Sequence, residues 1–155
     1  MSPIEKIVSG GQTGADRTGL DWAIENRIPH GGWCPKGRKA EDGQIDARYE
    51  LKEASRSDYV QRTELNVVDS DGTVVFSLAA VLTGGSKKTA EFARKHQKPC
   101  LHLSAQLHGE NAAGMLKNFI EENDIKVLNV AGPRESKEPG VGAFVKRVLD
   151  QMVVQ

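Results

Sequence analysis

Three stretches of this 155-residue chain set glycine among polar and charged side chains in the way oxyanion binding requires. The first is Ser9-Gly10-Gly11-Gln12-Thr13-Gly14-Ala15-Asp16-Arg17. Ile7 and Val8 read as the end of a buried strand. The glycines permit a tight turn with outward N–H groups, and Asp16 opens an amphipathic segment with Leu20, Ala23, Ile24 and Ile28 on one face. The first N–H groups of a helix lack internal partners and carry the positive end of its dipole, so a phosphate-like anion is the natural occupant. Gln12 stands where a dinucleotide fingerprint needs glycine, and Leu20 where a Walker A loop needs lysine. A plain strand-to-helix turn fits the same residues.

The second stretch, Leu82-Thr83-Gly84-Gly85-Ser86-Lys87-Lys88, echoes the first. Ser86 is expected to cap a helix with Ala90 and Ala93 inward. Lys87 and Lys88 then sit at its electropositive end, a cost of about a few tenths of a kcal/mol unless an anion binds. The third runs from Asn129 to Ser136. There Gly132 and Pro133 redirect the chain and offer the Arg134 guanidinium for a two-pronged grip on an oxyanion; the alternative is a surface ion pair with Glu135 or Glu138. Arg62 and Asn66, four apart on a helix expected from Tyr59 to Val68, could grip one ligand together.

The positioning elements follow from periodicity. Continuous apolar runs at Thr73–Leu78, Pro99–Leu103 and Ile125–Val130 read as buried strands. Helices are expected around Met115, Leu116, Phe119 and Ile120, and most clearly through Val141, Phe144, Val145, Val148, Leu149 and Met152. Alternating strands and helices predict an α/β fold, a single-domain Rossmann-like open and mostly parallel sheet with helices on both faces. Ligands of such sheets bind outside the carboxyl ends of the strands, where the three glycine loops should meet. The segment from Lys36 to Ser57 has no regular period and mixes Arg38, Glu41, Asp42, Arg48 and Arg56, with Ile45, Tyr49 and Leu51 as anchors. It reads as an ordered, functional loop against the cleft, the alternative being a solvated excursion.

Composition narrows the classes. Basic and acidic residues number 21 each, so the charge pattern of nucleic-acid or anionic-membrane binders is missing. No apolar run is long enough for a membrane span and no signal peptide is evident, which leads to the expectation of a cytoplasmic protein. Cys34 and Cys100 stand alone, and His30, His96, His102 and His108 show no metal-ligand spacing. The acidic turn Asp69-Ser70-Asp71-Gly72 fails as a calcium loop, because Val67 and Leu78 fall at ligand positions. Trp33 suits either base stacking or core packing.

Together with the first loop at 9–17, His-Gly-Gly-Trp-Cys-Pro-Lys-Gly-Arg at 30–38, Glu-Asp-Gly at 41–43, Gln-Arg-Thr-Glu-Leu-Asn-Val at 61–67, Asp-Ser-Asp at 69–71 and Leu-Asn-Val-Ala-Gly-Pro-Arg-Glu-Ser at 128–136 resemble the bacterial putative molybdenum carrier family across nearly the whole chain. That family is grouped with circularly permuted relatives of YpsA-like proteins, in the SLOG superfamily with the LOG proteins. The resemblance implies a Rossmann-like fold and a nucleotide-type or cofactor-type ligand, with molybdate or a pterin phosphate also suited to an anion cleft. It further implies a homodimer or higher homo-oligomer. The ligand-binding set expected from loops and motifs is Gly10, Gly11, Gln12, Thr13, Gly14, Asp16, Arg17, Arg38, Glu41, Asp42, Arg62, Asn66, Ser70, Asp71, Gly84, Gly85, Ser86, Asn129, Gly132, Arg134 and Ser136. LOG enzymes release a base from a nucleoside monophosphate. Gly84 and Gly85 match their glycine turn and Glu91 falls at the spacing of their catalytic glutamate, while Thr83, Lys87 and Lys88 replace the family's Pro, Gly and Thr. Two functions stand side by side: an anion-binding carrier, and a nucleotide N-glycosidase or phosphoribohydrolase with Glu91 or Asp71 as acid/base and Arg62 or Arg134 clamping phosphate.

Overall fold

A computed structural model describes residues 4–154. In chain order the elements are β1 (Lys6–Val8), α1 (Ala15–Glu25), β2 (His30–Gly31), β3 (Trp33–Cys34), β4 (Lys39–Ala40), β5 (Gly43–Gln44), β6 (Lys52–Glu53), α2 (Tyr59–Val68), β7 (Gly72–Ser77), α3 (Gly84–Lys95), β8 (Cys100–Ser104), α4 (Ala105–His108), a 3-10 turn (Gly109–Asn111), α5 (Ala112–Glu122), β9 (Val127–Ala131) and α6 (Val141–Val154). Five strands form one sheet in the order β2-β1-β9-β7-β8. Every pairing in it is parallel. The expected Rossmann-like α/β fold is what the chain adopts. β7 is buried along its whole length, which is why Gly72 through Ser77 lacks the alternation of a half-exposed strand.

The chain walks outward from β1 to β2, crosses to β7, walks outward again to β8, and returns with β9 between the two halves. That reversal creates the crevice at the carboxyl ends of β1, β9 and β7. One face of the sheet carries the main core, where Val74, Phe76, Leu128 and Val130 meet Trp22 of α1, Leu116 of α5 and Val145 and Leu149 of α6. Phe76 and Phe144 pack edge to face, with ring centroids 5.8 Å apart. α2 and α3 form a separate cluster through Val67, Phe92 and Ala93, away from that core, so helices lie on both faces.

Local sequence explains the element ends. Asp58 caps α2 by accepting from the Val60 and Gln61 amides. Helices α1, α3 and α5 stop alike, with Arg27, Gln97 and Asp124 at φ 57, 55 and 50. In each case the following amide reaches back five residues: Ile28 to Ala23 O, Lys98 to Ala93 O and Ile125 to Ile120 O. These are Schellman ends built without glycine, so the usual stop signal was missing from the sequence. Two local expectations are corrected. Ile24 is exposed and Trp22 takes the buried position on α1. Helix α3 begins at Gly84 after Thr83, and Ser86 lies inside its first turn instead of capping it.

The long segment is ordered around small pieces of sheet. β4 and β5 form an antiparallel hairpin and β3 pairs with β6. Ile45 and Tyr49 anchor the segment against Leu20 and Cys34.

Candidate functional site

The turn after β1 is knitted by its own side chains. Ser9 donates to the Asp16 carbonyl and its hydroxyl accepts from the Gly11 amide. The Asp16 carboxylate accepts from the Gln12 amide and from Arg62 of α2, both at 3.3 Å. Asp16 and Arg62 are an ion pair removed from water, with side chains 4% and 14% exposed. Burial is the larger influence and raises the Asp16 carboxyl above its ordinary value, against the pull of Arg62, the Gln12 amide and Arg17.

The glycines of this turn admit other parts of the protein at close range. A Cβ on Gly10 would lie 1.9 Å from the Arg62 guanidinium, and one on Gly11 would strike Leu51 of the long segment. One on Gly14 would strike the backbone of Pro133, Arg134 and Glu135. The expectation that all three hold free amides toward a ligand is therefore corrected: the Gly11 amide is spent on Ser9, and each glycine admits another part of the protein.

The three glycine loops do meet. A cleft of about 350 Å³ is lined by Gln12 and Asp16 from the first, Gly84, Gly85 and Ser86 from the second, and Gly132 and Arg134 from the third. Arg62 joins them from α2. The volume lies at the lower end of the roughly 300–1,000 Å³ range of small-molecule sites. Sequence reading missed Tyr59, Val60, Thr63, Thr89, Ala131, Pro133 and Lys137 in the lining. Lys137 was legible only as the basic residue after Ser136; it reaches α3 because Gly84 has no side chain to obstruct its ammonium. Around the start of α3 the lining carries Lys88, Arg134 and Lys137, with Arg62 further along, and its single carboxylate is Asp16. α3 has no side-chain cap, so the Gly84, Gly85 and Ser86 amides lack helical partners at the electropositive end of a 12-residue helix.

Two buried polar atoms of this lining have no hydrogen-bond partner among the described residues: Gln12 Oε1 and Arg62 Nε. Left unmet, each costs about 1–3 kcal/mol.

A second layer braces the cleft from behind. Glu41, at the tip of the β4–β5 hairpin, accepts from the hydroxyls of Thr13 and Ser136, and the Arg134 Nε lies 4.0 Å from it. Asp42 pairs with Arg17, which also donates to Gly11 O. Gln12 Nε2 donates to Lys39 O at 2.8 Å. The hairpin is thus a strap over the first and third loops. The Ser136 hydroxyl, then that of Thr13, holds the Glu41 carboxyl below its ordinary 4.5. A depressed carboxylate pKa adds stability that is present above the unfolded value and lost as pH falls through the folded one. Acidification from about 4.5 downward is therefore expected to loosen the strap. Amide NMR shifts of Gly43 and Ser136 should report that step, and Glu41→Gln should remove it.

Other expected site residues lie elsewhere. Arg38 donates to the carbonyls of Ile45, Asp46 and Tyr49 and organises the long segment. Asn66 holds both the amide and the carbonyl of Trp33. Trp33 itself donates to Asp69 and neither stacks in the cleft nor enters the core. Ser70 closes the end of α2 on Val67 O, and Asp71 accepts from the Lys126 and Val127 amides at the start of β9. Both stand at the amino ends of the strands, the wrong end for the cleft. Asn129 is buried in the sheet, bonded to Thr73. Glu91 is exposed on the flank of α3 turned away from Ser86, Thr89 and Ala93. Each histidine has a partner that is not a metal ligand set, and no group of His, Cys, Asp and Glu among the described residues could hold a metal ion.

The sheet is all-parallel and Rossmann-like, with a cationic crevice at its switch point, the place where ligands of such sheets bind. The chain belongs to the circularly permutated YpsA SLOG family, whose model matches residues 7–153. It is similar to a crystal structure from Syntrophus aciditrophicus SB described as "Putative molybdenum carrier protein", with 47% identity over 97% of this chain and 96% of that one and a TM-score of 0.95. No curated protein matches the chain. Among the described residues no helix is long and apolar enough to cross a membrane.

Proposed function

We propose that this protein binds and carries a small anionic ligand, of nucleotide or molybdenum-cofactor type, in the crevice at the carboxyl ends of β1, β7 and β9. The observation that carries the reading is the electrostatic make-up of the cleft. Arg134 and Lys137 line the cleft beside the Gly84, Gly85 and Ser86 amides that open α3, Lys88 lines it from the next turn with its ammonium over the Phe92 ring, and the one carboxylate is already tied to Arg62. The carrier description of the Syntrophus protein agrees with such a site. The lining offers neither histidine nor cysteine. A molybdenum-containing ligand would thus be held by hydrogen bonds to its oxygens or its phosphate, not by direct coordination.

The hydrolase alternative loses its named acid/base groups, since Glu91 and Asp71 both lie outside the cleft. Arg134 tests the carrier reading. Its side chain is about half exposed and its ion-pair partner among the described residues is Glu41, 4.0 Å away, whereas Glu135 is spent on the Gly140 and Gly142 amides and Glu138 on that of Leu78. Lysine keeps the charge and loses the fork. Arg134→Lys is expected to weaken inorganic pyrophosphate by about 10–100-fold in calorimetric titration, with stability little changed. Equal affinities would return Arg134 to its ion pair with Glu41.

A further inference from the structure

We propose that Thr13, Ser136 and Arg134 form a second oxyanion site beside the crevice, filled here by the chain's own Glu41 carboxylate, and that a ligand with two or more anionic groups displaces Glu41 and lifts the β4–β5 hairpin. This rests on the anion-binding reading above and adds how that site is regulated.

A carboxylate offers what one edge of a phosphate offers, two oxygen acceptors and negative charge. The donors around Glu41 converge as they would on a bound anion. The Thr13 hydroxyl donates to Oε2 and the Ser136 hydroxyl to Oε1. The Ser136 amide adds a longer bond to Oε2 at 3.4 Å, and Arg134 Nε lies 4.0 Å from Oε1. Thr13 is itself oriented, because its hydroxyl oxygen accepts from the Glu135 amide. Every donor belongs to the first or the third loop, whereas the carboxylate comes from the hairpin. The cup is thus complete without the element that fills it.

Little else holds that hairpin down. β4 and β5 have two residues each, and Lys39, Asp42, Gly43 and Gln44 are exposed. Its packed apolar side chain is the half-buried Ala40, and the first fully buried anchor comes after it, at Ile45. The remaining tethers are Asp42 to Arg17, Lys39 O to Gln12, and the Lys39 ammonium over the Tyr59 ring. A segment with so few buried apolar contacts opens at low cost.

Arg134 couples the two sites. It lines the crevice and also carries the positive charge beside Glu41. A ligand anion drawn to the guanidinium meets the Glu41 charge next to it, so seating of the hairpin opposes binding. By linkage, binding then opposes seating. Once Glu41 leaves, the Thr13 and Ser136 hydroxyls receive a second anionic group of the same ligand.

The test is calorimetric titration of the whole protein with inorganic pyrophosphate. Glu41→Gln keeps an acceptor for the two hydroxyls and removes the charge. It is expected to bind pyrophosphate about 3–10-fold tighter than the wild type, the effect of removing one like charge near the protein surface. Adding Ser136→Ala to Glu41→Gln is expected to give back about 3–10-fold, which a serine that only braces the hairpin would not do. In the wild type, saturating pyrophosphate is expected to speed tryptic cleavage after Lys39 relative to the other sites, read by mass spectrometry. If Glu41→Gln binds no tighter, if the added Ser136→Ala changes nothing, or if pyrophosphate slows that cleavage or leaves it unchanged, the proposal is overturned while the anion site stands. If neither the wild type nor Glu41→Gln binds pyrophosphate, the anion-binding reading fails, and this proposal with it.

Discussion

Gly14→Ala is expected to destabilise the protein by about 3 kcal/mol, the sum of a left-handed backbone forced on alanine and a clash that no rotamer relieves. Gly14 has φ +79, and its Cβ would lie 2.6 Å from Pro133 O, 2.7 Å from Glu135 N and 2.9 Å from the Arg134 carbonyl carbon. All three are backbone atoms, so the turn after β9 would have to withdraw from the turn after β1. That withdrawal would also break the bond from the Glu135 amide to the Thr13 hydroxyl. Gly43, at φ +114 with nothing within 4 Å of a Cβ, is the control for backbone strain alone. Urea denaturation of the two alanine variants separates the terms. A loss at Gly14 no larger than at Gly43 would mean that the two turns are not in contact.

The second large effect is at Arg62. Arg62→Met leaves Asp16 buried without its counter-charge and should cost about 3 kcal/mol at neutral pH, as breaking one side of a buried pair does. The effect should depend on pH in a definite direction. Burial already raises the Asp16 carboxyl above its ordinary 3.8, and removing the guanidinium raises it further. A carboxyl with a raised folded pKa contributes stability that is present below its unfolded value and lost as pH rises through the folded one. The deficit of Arg62→Met relative to the wild type is therefore expected to be smaller near pH 4 than near pH 7. Denaturation midpoints at both values check it, and a deficit independent of pH would show that the lost interaction is packing rather than charge.

The sheet and its crevice were legible because parallel strands leave long apolar runs and because ligands of such sheets sit at the carboxyl ends. The same rule, applied strictly, excludes Asp71 and Ser70: the acidic turn precedes β7 and so stands at its amino end. Helical phase excludes Glu91, which lies on the flank away from the buried Ser86, Thr89 and Ala93. What local pattern could not supply was the partner of each polar side chain. Arg38 and Asn66 look like ligand grips, yet each is spent on backbone carbonyls or amides distant in sequence. Sequence neighbours Glu135 and Glu138 are the obvious acidic partners for Arg134, yet the acid beside it is Glu41 at the tip of the hairpin. The glycines of the first turn signalled close approach correctly. What approaches, however, is Arg62, Leu51 and the backbone of 133–135.

The central claim is that the crevice at the ends of β1, β7 and β9 holds a small anionic ligand. Mass spectrometry of small molecules released from natively purified protein, with elemental analysis for molybdenum, addresses it most directly when followed by titration of the released compound back into the emptied protein. The account predicts a phosphorylated or otherwise anionic compound that rebinds wild-type protein and binds Arg134→Lys about 10–100-fold more weakly. A compound that binds both proteins equally, or protein that releases nothing and has no measurable affinity for pyrophosphate, would contradict it.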